Sequence, residues 1–528
     1  MKIRSYESLD FPLAWKRVLT WVSEGQPDIQ DRLPYEVLKR MYSGRGPWVN
    51  PQTHLQPINL VFAPKKSATS RPLVRLSPRD LLLYQALVDR LAPDIEAALP
   101  PRDVVFAYRQ TLGRQHNAFA GSPSREDYAT RAEDLFFFRH GVQFGLSGDV
   151  AGFFLHIEID ELERQLLTAS RQSNVVRDLT DLLRGWAALG LKGLPQGIRA
   201  SSPLGNLYLA PLDELLLSQG IQYLRWMDDW MVAASGFHEA RRIQDEMERR
   251  LYDLGLTLAA DKTQIVGWFT ASSEGKGARQ QLAEVKDAEL TRAKAWVAEQ
   301  VAITGYPPSE DEIPDPAKVN REVVRTEFDR LFGMAEGEAR VPKEAHSMGV
   351  AVFREMESLK EPVHIEKLPR LLMRIPSLTR PALDYLATVA RKSMKDAAGV
   401  YEELLSSGRF MSDVEKLNLC YSILKLPEGK AVGLAPSLAG WARDEPSDLV
   451  RARALLAWGA QSPRNDFGAA DLFWHRATAP WQPYALLAIQ RKSKQQRDAR
   501  YARWGGEARF SGELAAEVKK SPFAWRKL

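Results

Sequence analysis

The chain has 528 residues, a formal net charge of +5, 45% hydrophobic and 26% charged residues, and one cysteine, Cys420. That length predicts two to four domains of ordinary globular composition, and the slight basic excess is compatible with nucleic-acid binding without requiring it. No apolar run approaches the ~18 residues of a membrane span, a lone cysteine excludes a disulfide framework or a CxxC zinc site, and MKIRSYESLDFPLAWKRVLTW at the N-terminus lacks a signal-peptide core, so a cytoplasmic protein is expected.

In chain order, INLVFAP (58–64) reads as a strand. The overlapping VFAPKKSATSRPLVRLSPRD (61–80) gathers Lys65, Lys66, Arg71, Arg75 and Arg79 on a candidate hairpin. Such charges either clamp a triphosphate or form a plain basic surface. DLLLYQALVDRLAPDIEAAL (80–99) has a helical pattern, and QHNAFAGSPSREDYATRAEDLF (115–136) takes no assigned role. VQFGLSGDV (142–150) is an apolar strand near whose end Asp149 stands, before a turn and two phenylalanines. A carboxylate there is either a helix N-cap or a metal ligand. Residues 161–189 read as helical. GLPQG (193–197) is a loop between two glycines that feeds an apolar helical run from Leu204, and Gln196 there offers a donor and an acceptor to a nucleotide.

RWMDDWMVAA (225–234) sets Asp228 beside Asp229 in a strand-like context, although aspartate is depleted in strands and adjacent carboxylates repel. Taken alone, the pair is most simply the turn of a β-hairpin. Together with Asp149 it also reads as a cage for divalent cations. Oxygen-rich carboxylate sites suit Mg²⁺, and two such ions about 4 Å apart stabilise the attacking and leaving oxygens of a phosphoryl transfer. LYDLGLTLAADKTQI (251–265) puts Lys262 on a loop beside a short strand, where a lone lysine is otherwise a solvated charge.

Past residue 270 the character changes. TASSEGKGARQ (270–280) reads as a linker, residues 281–300 as a charged amphipathic helix, and GYPPSEDEIPDP (305–316) as a proline-rich break. From about residue 321 helical stretches recur between prolines and glycines, which predicts stacked helix pairs of solenoid type. RKSKQQRDARYARW (491–504) interleaves basic residues with Tyr501 and Trp504; it is either a nucleic-acid stacking surface or a solvated helix face. The expected architecture is α+β over 1–270, a linker with connecting helices over 271–335, and an all-α helical-repeat domain over 336–528.

The order of these blocks closely resembles the reverse transcriptases. GDVAGFFLHI resembles their first palm motif; LPQG, with Ser201, Asn206 and the LYLAPLDELL helix, resembles the second. RWMDDWMV is similar to the third, with Trp226 where the family usually has tyrosine, and TLAADKTQ resembles the fourth. PKKSATSRPL and VVFAYRQ (104–110) are similar to the fingers of the prokaryotic branch. The resemblance covers about residues 55–267. It implies a right-hand polymerase of fingers and palm that uses dNTPs, with Asp149, Asp228 and Asp229 as ligands of Mg²⁺ (or Mn²⁺) and the Val150 carbonyl assisting. It further implies Phe154 as a steric gate against a 2′-hydroxyl, Gln196 beside the incoming nucleotide, and Lys65 or Lys66, with Arg71, as a triphosphate clamp. Lys262 would be the general acid for the leaving pyrophosphate.

The accessory parts narrow the subgroup. There is no zinc endonuclease motif and no strand-rich RNase H candidate, and the chain continues for over 200 residues beyond the last polymerase block. A long helical half on a compact polymerase resembles the abortive-infection and other defence-associated reverse transcriptases. That implies a homo-oligomer formed through the helical domain, no membrane partner, and DNA synthesis that is either untemplated and protein-primed or templated by a non-coding RNA. Tyr484 and Tyr501 are the candidate priming hydroxyls. The alternatives are a retron-like or maturase-like enzyme copying a bound structured RNA, and a catalytically silent RNA-binding scaffold, which would need neither the three aspartates nor Phe154 and Gln196.

Overall fold

The computed structural model describes residues 2–23, 38, 49–65, 69–111, 113–137, 142–267, 316–337, 344–360, 362–406, 411–478, 481–506 and 509–523. Lys66, the linker at 270–280, the helix expected over 281–300 and residues 305–315 lie outside the described residues. By packing, the chain divides into two units: Met1–Val61 with Pro72–Gly275, and Phe62–Arg71 with Lys276–Leu528.

In the first unit, α1 (Phe11–Ser23) packs against the long helix α2 (Pro78–Ala98), whose apolar residues Leu81, Leu82, Leu87 and Leu91 are all buried. Burial on more than one side follows from its neighbours, because α4 (Ile159–Ala169), α5 (Ser173–Ala188) and α6 (Ser201–Tyr208) also pack on it. Ser77 caps α2, its Oγ accepting from the Asp80 amide at 3.1 Å, with Pro78 at the first position. The Asp80 carboxylate in turn accepts the Gln56 amide at 3.0 Å.

Burial pushes Asp80 up to about 6, against the pull of its hydrogen bonds. The folded state therefore keeps a proton that the unfolded chain releases at lower pH. Wild-type stability loses this contribution as pH rises from about 4 through 6. Asp80→Asn is expected to gain on wild type over that window, by at most roughly 3 kcal/mol, as read from unfolding midpoints at pH 4.5 and 7.5.

A four-stranded antiparallel sheet of order β4–β5–β3–β6 carries the middle of the unit, with β3 (Phe144–Asp149), β4 (Tyr223–Trp226), β5 (Asp229–Ala234) and β6 (Gln264–Gly267). Helix α8 (Phe237–Asp253) packs on β3, β5 and β6, presenting Ala240, Ile243, Met247 and Leu251 at helical spacing. The segment at 104–106 runs beside β4: the Arg225 amide donates to Val104 at 2.8 Å and the Phe106 amide to Arg225 at 3.0 Å. On the hairpin lies α3 (Arg125–Phe137), the helix of the 115–136 segment. Its Tyr128 and Leu135 share a core cluster with Phe106, Leu224 and Ala233, with Trp226 and Met231 packed against it. β1 (Asn59–Pro64) and β2 (Ser70–Arg75) form a separate two-stranded sheet.

The described helices of the second unit are α9 (Pro316–Gly337), α10 (Glu344–Leu359), α11 (Leu368–Arg374), α12 (Thr379–Lys392), α13 (Met394–Ser406), α14 (Asp413–Leu424), α15 (Ala435–Asp444), α16 (Asp448–Gln461), α17 (Gly468–Arg476), α18 (Pro483–Ala488), α19 (Lys494–Gly505) and α20 (Arg509–Lys520). They form two rows. α10, α12, α14, α16, α18 and α20 pack each on the next, and α9, α11, α13, α15 and α17 do the same. This is solenoid packing, in which each helix buries its apolar face against near neighbours in the chain.

The stretch 491–504 is not a stacking surface. Tyr501 and Trp504 are buried; Trp504 stacks on Trp474 at 4.8 Å and 9°, and the Tyr501 hydroxyl donates to the Leu486 carbonyl at 2.9 Å. The neighbouring arginines are held in ion pairs, Arg497 with Asp498 and Arg500 with Asp471. Tyr484, likewise buried, packs on Trp481 at 5.6 Å. Neither candidate priming hydroxyl stands at the surface in this arrangement. Among the described residues no helix is long and apolar enough to cross a membrane.

Candidate active site

The β4–β5 hairpin closes on two residues, Met227 and Asp228, so that Trp226 pairs with Asp229 across the turn. Met227 adopts φ 61°, a left-handed conformation that costs a non-glycine residue of order 1–3 kcal/mol unless its surroundings hold it. They do. Met227 is buried, and its carbonyl accepts the Arg225 Nη1 at 2.8 Å.

Arg225 is fully buried and all five of its N–H donors have acceptors. Besides Met227, they reach Asp213 Oδ1 at 3.0 Å, Asp213 Oδ2 at 2.5 Å, Asn206 Oδ1 at 2.9 Å and the Asn206 carbonyl at 3.4 Å. Asp213 also accepts the Tyr223 hydroxyl at 3.0 Å, and the Asn206 Nδ2 donates to the Ala107 carbonyl at 2.8 Å. Asn206 lies on α6 and Asp213 on α7 (Ala210–Ser218). The hairpin that displays Asp228 and Asp229 is therefore pinned from behind by a buried charged network.

β3 and β5 pair so that Asp149 faces Asp229. On the other flank of Asp149, the Lys262 Nζ donates to its Oδ2 at 2.5 Å. Burial, the contact with Asp149 and the charges of Asp228 and Asp149 push Asp229 up to about 7, against the pull of Arg125. Burial works to lower Lys262, but its bond to Asp149 and the charges of all three aspartates outweigh it and raise its pKa. Past Asp149 the backbone meets the segment before Lys262: the Ala259 amide donates to the Asp149 carbonyl at 2.7 Å and the Ala151 amide to the Thr257 carbonyl at 2.9 Å. The pair Val150–Leu258 lies between these bonds, which leaves the Val150 carbonyl outside that ladder.

Asp149, Asp229 and Lys262 are thus in contact, with Asp228 next in the chain and in electrostatic range. Among the described residues no set of three His, Cys, Asp or Glu side chains closes around one point. The donor chemistry nevertheless fits a hard divalent cation. Two carboxylates face each other at a strand end with a third beside them, and the repulsion that adds to burial in raising Asp229 is what a cation would relieve.

Phe154 and the 193–197 loop are held together. Gly193 has φ +58°, and a Cβ there would lie 2.0 Å from the Phe154 carbonyl, which accepts the Leu194 amide at 2.8 Å. Only glycine fits that approach. The Gln196 carbonyl accepts the Val74 amide of β2 at 2.9 Å, and the Ser201 Oγ donates to the Pro195 carbonyl at 2.8 Å. Lys65 follows β1 and Arg71 stands on β2, both exposed; Lys66 is outside the described residues.

The sequence reading missed two residues. Arg225 was passed over inside the RWMDD motif, although an arginine in a strand beside bulky apolar residues needs a buried partner. Arg125 lies in the unassigned 115–136 segment, yet its Cζ sits 4.3 Å from the Trp226 ring centroid and its Nη2 3.7 Å from Asp229 Oδ2. Arginine and tyrosine three apart on one helix (Arg125, Tyr128) were the available signal.

Residues 63–307 match the reverse transcriptase (RNA-dependent DNA polymerase) family. No curated protein sequence matches the chain. Among solved structures it is similar to telomerase from Candida albicans in complex with a TWJ fragment of telomeric RNA, at 12% identity and a TM-score of 0.29 over 70% of this chain. The chain spans 64% of that telomerase chain's length. With the family match over 63–307, the chain carries a reverse transcriptase domain, of the family of RNA-directed DNA polymerases, joined to a helical C-terminal region.

Proposed function

We propose that the protein is a DNA polymerase of reverse-transcriptase type whose reaction is carried by Asp149, Asp228, Asp229 and Lys262. The observation that carries the reading is the cross-strand pairing of Asp149 with Asp229 at the end of β3, with Lys262 on Asp149. Asp149, Asp228 and Asp229, with the Val150 carbonyl, would hold Mg²⁺ (Mn²⁺ as a substitute). Bound there, divalent cations supply neutralisation of the charge on the transferring phosphoryl group. The chain's own part is to hold these groups in place. The Arg225 network fixes the hairpin, and Gly193 lets the 193–197 loop seat against the Phe154 backbone.

Phe154 is proposed as the sugar gate and Gln196 as the residue beside the incoming nucleotide; on sequence order alone, Lys65, Lys66 and Arg71 are proposed for the triphosphate. Lys262 stays charged while it touches Asp149, which makes it a poor acid there. Delivery of its Nζ proton to pyrophosphate requires that contact to loosen. We place the protein in antiphage defence, acting as a homo-oligomer through the helical repeats. The support is architectural, a solenoid appended to a compact polymerase. With Tyr484 and Tyr501 buried, a templated reaction on RNA gains weight over priming from those two hydroxyls.

The test is incorporation of labelled dNTPs by the purified full chain with Mg²⁺, with and without added or co-purified RNA, resolved before and after protease. RNA-dependent label supports templated synthesis; label released only by protease supports protein priming from a hydroxyl other than these two. Phe154→Ala is expected to admit ribonucleotides that wild type rejects by at least about tenfold. Label that persists in Asp228→Ala/Asp229→Ala would overturn the assignment.

A further inference from the structure

The carboxylate pair is flanked by two cations of the chain itself. Lys262 takes Asp149, and Arg125, from the otherwise unassigned 115–136 segment, takes Asp229. Arg125 is the first residue of α3, whose first turn is fixed by a reciprocal cap: the Ser124 amide donates to Asp127 Oδ2 at 2.7 Å and the Asp127 amide to Ser124 Oγ at 3.0 Å. Below Arg125, Tyr128 meets Trp226 edge-on at 5.7 Å and Phe106 at 5.3 Å, so the helix is anchored on the hairpin. The guanidinium itself remains accessible, with 58% of the Arg125 side chain exposed. It lies over the Trp226 ring, and Trp226 is the cross-strand partner of Asp229. A planar guanidinium stacked on an indole keeps its N–H edges free for anions.

We propose that Arg125 is an internal counter-ion that a divalent cation must displace from Asp229. Helix α3 thereby sets the metal affinity of the site, and the released guanidinium, still carried on Trp226, binds a phosphate of the incoming nucleotide. The proposal rests on the metal-site reading above. A positive charge beside Asp229 competes with the metal by direct electrostatics. Once a metal neutralises the carboxylate, the same charge has lost its partner and stands beside the place where a polyphosphate arrives. The two roles predict opposite signs for one substitution. Without Arg125 the metal binds more tightly and the nucleotide less tightly.

The experiment is a Mn²⁺ titration of the full chain, followed by the electron paramagnetic resonance signal of free Mn²⁺. It is run without nucleotide on wild type, Arg125→Met, Arg125→Lys and Asp229→Asn, and repeated at high salt. Methionine keeps an apolar stem on Trp226 and removes the charge. Arg125→Met is expected to tighten Mn²⁺ by about two- to fivefold at low salt, the range of an exposed ion pair, and the gain should shrink at high salt. Arg125→Lys should stay near wild type for the metal. In a parallel filter assay with Ca²⁺, which suppresses turnover, dATP should bind Arg125→Met several-fold more weakly. If Mn²⁺ binding is unchanged by Asp229→Asn, the metal-site reading itself fails. If Asp229→Asn weakens it while Arg125→Met leaves it unchanged or weaker, the counter-ion role alone is overturned. A misfolded Arg125→Met would leave Arg125→Lys and the salt dependence of wild type to decide, and salt-independent Mn²⁺ affinity would count against the proposal.

Discussion

Asp149→Asn is expected to leave a folded protein that incorporates nucleotides at least about a thousandfold more slowly, a loss of about 4 kcal/mol in the transition state. The fold should survive because two local effects oppose. The substitution removes the charge that holds the Lys262 Nζ at 2.5 Å, and it also removes one of the like charges that add to burial in pushing Asp229 up to about 7. Asparagine has the same shape and keeps an acceptor for Lys262. A thermal midpoint within a few degrees of wild type, beside single-nucleotide incorporation measured at saturating dNTP, separates the two consequences. A variant that keeps wild-type turnover would exclude Asp149 from the chemistry. A variant that loses its cooperative transition would show that Asp149 is structural first.

The largest expected effect on stability is at Arg225. Arg225→Met should cost about 3–5 kcal/mol, because it strands the Asp213 carboxylate in a fully buried position with only the Tyr223 hydroxyl still donating to it. Arg225→Lys should be nearly as costly, since a point charge with three donors cannot replace a fork whose five N–H groups are all taken. Replacing both partners, as Arg225→Met with Asp213→Leu, is expected to recover much of that loss. The double variant should still be impaired in incorporation, because the Met227 carbonyl loses its anchor and the left-handed turn that displays Asp228 and Asp229 is no longer held. Urea unfolding of the single and double variants gives the coupling directly. A cost below about 1 kcal/mol for Arg225→Met would mean that the network is dispensable.

The strands and the hairpin were legible in the sequence because their chemistry is local. Apolar runs bounded by turn residues set β3, β4 and β5, and the paired aspartates mark the hairpin, Asp228 in its two-residue turn and Asp229 at the start of β5. That Asp149 meets Asp229 is a matter of register, which one chain of letters does not display, although a resemblance to reverse transcriptases implied it. Of the two readings of 491–504, the stacking surface fails for an instructive reason. Tyr501 and Trp504 are three apart on a helix, which is the spacing of a buried stripe, and the surrounding basic residues drew attention to the wrong face. Arg125 shows in the sequence only through its spacing from Tyr128, because its partners, Trp226 and Asp229, lie about a hundred residues away.

The two halves of the chain differ in the distance over which their contacts must be found. In the sheet, the β4–β5 hairpin is local, but Phe144 pairs with Gly267 and with Ala234, so long loops have to close before β3 joins it. In the two-row stack each helix meets partners one or two places along the chain. Low contact order favours rapid assembly and non-local pairing slows it. The slowly assembling half is also the half that leaves the ribosome first. Order of synthesis therefore gives the polymerase unit a head start over a helical half that can catch up by adding one helix at a time.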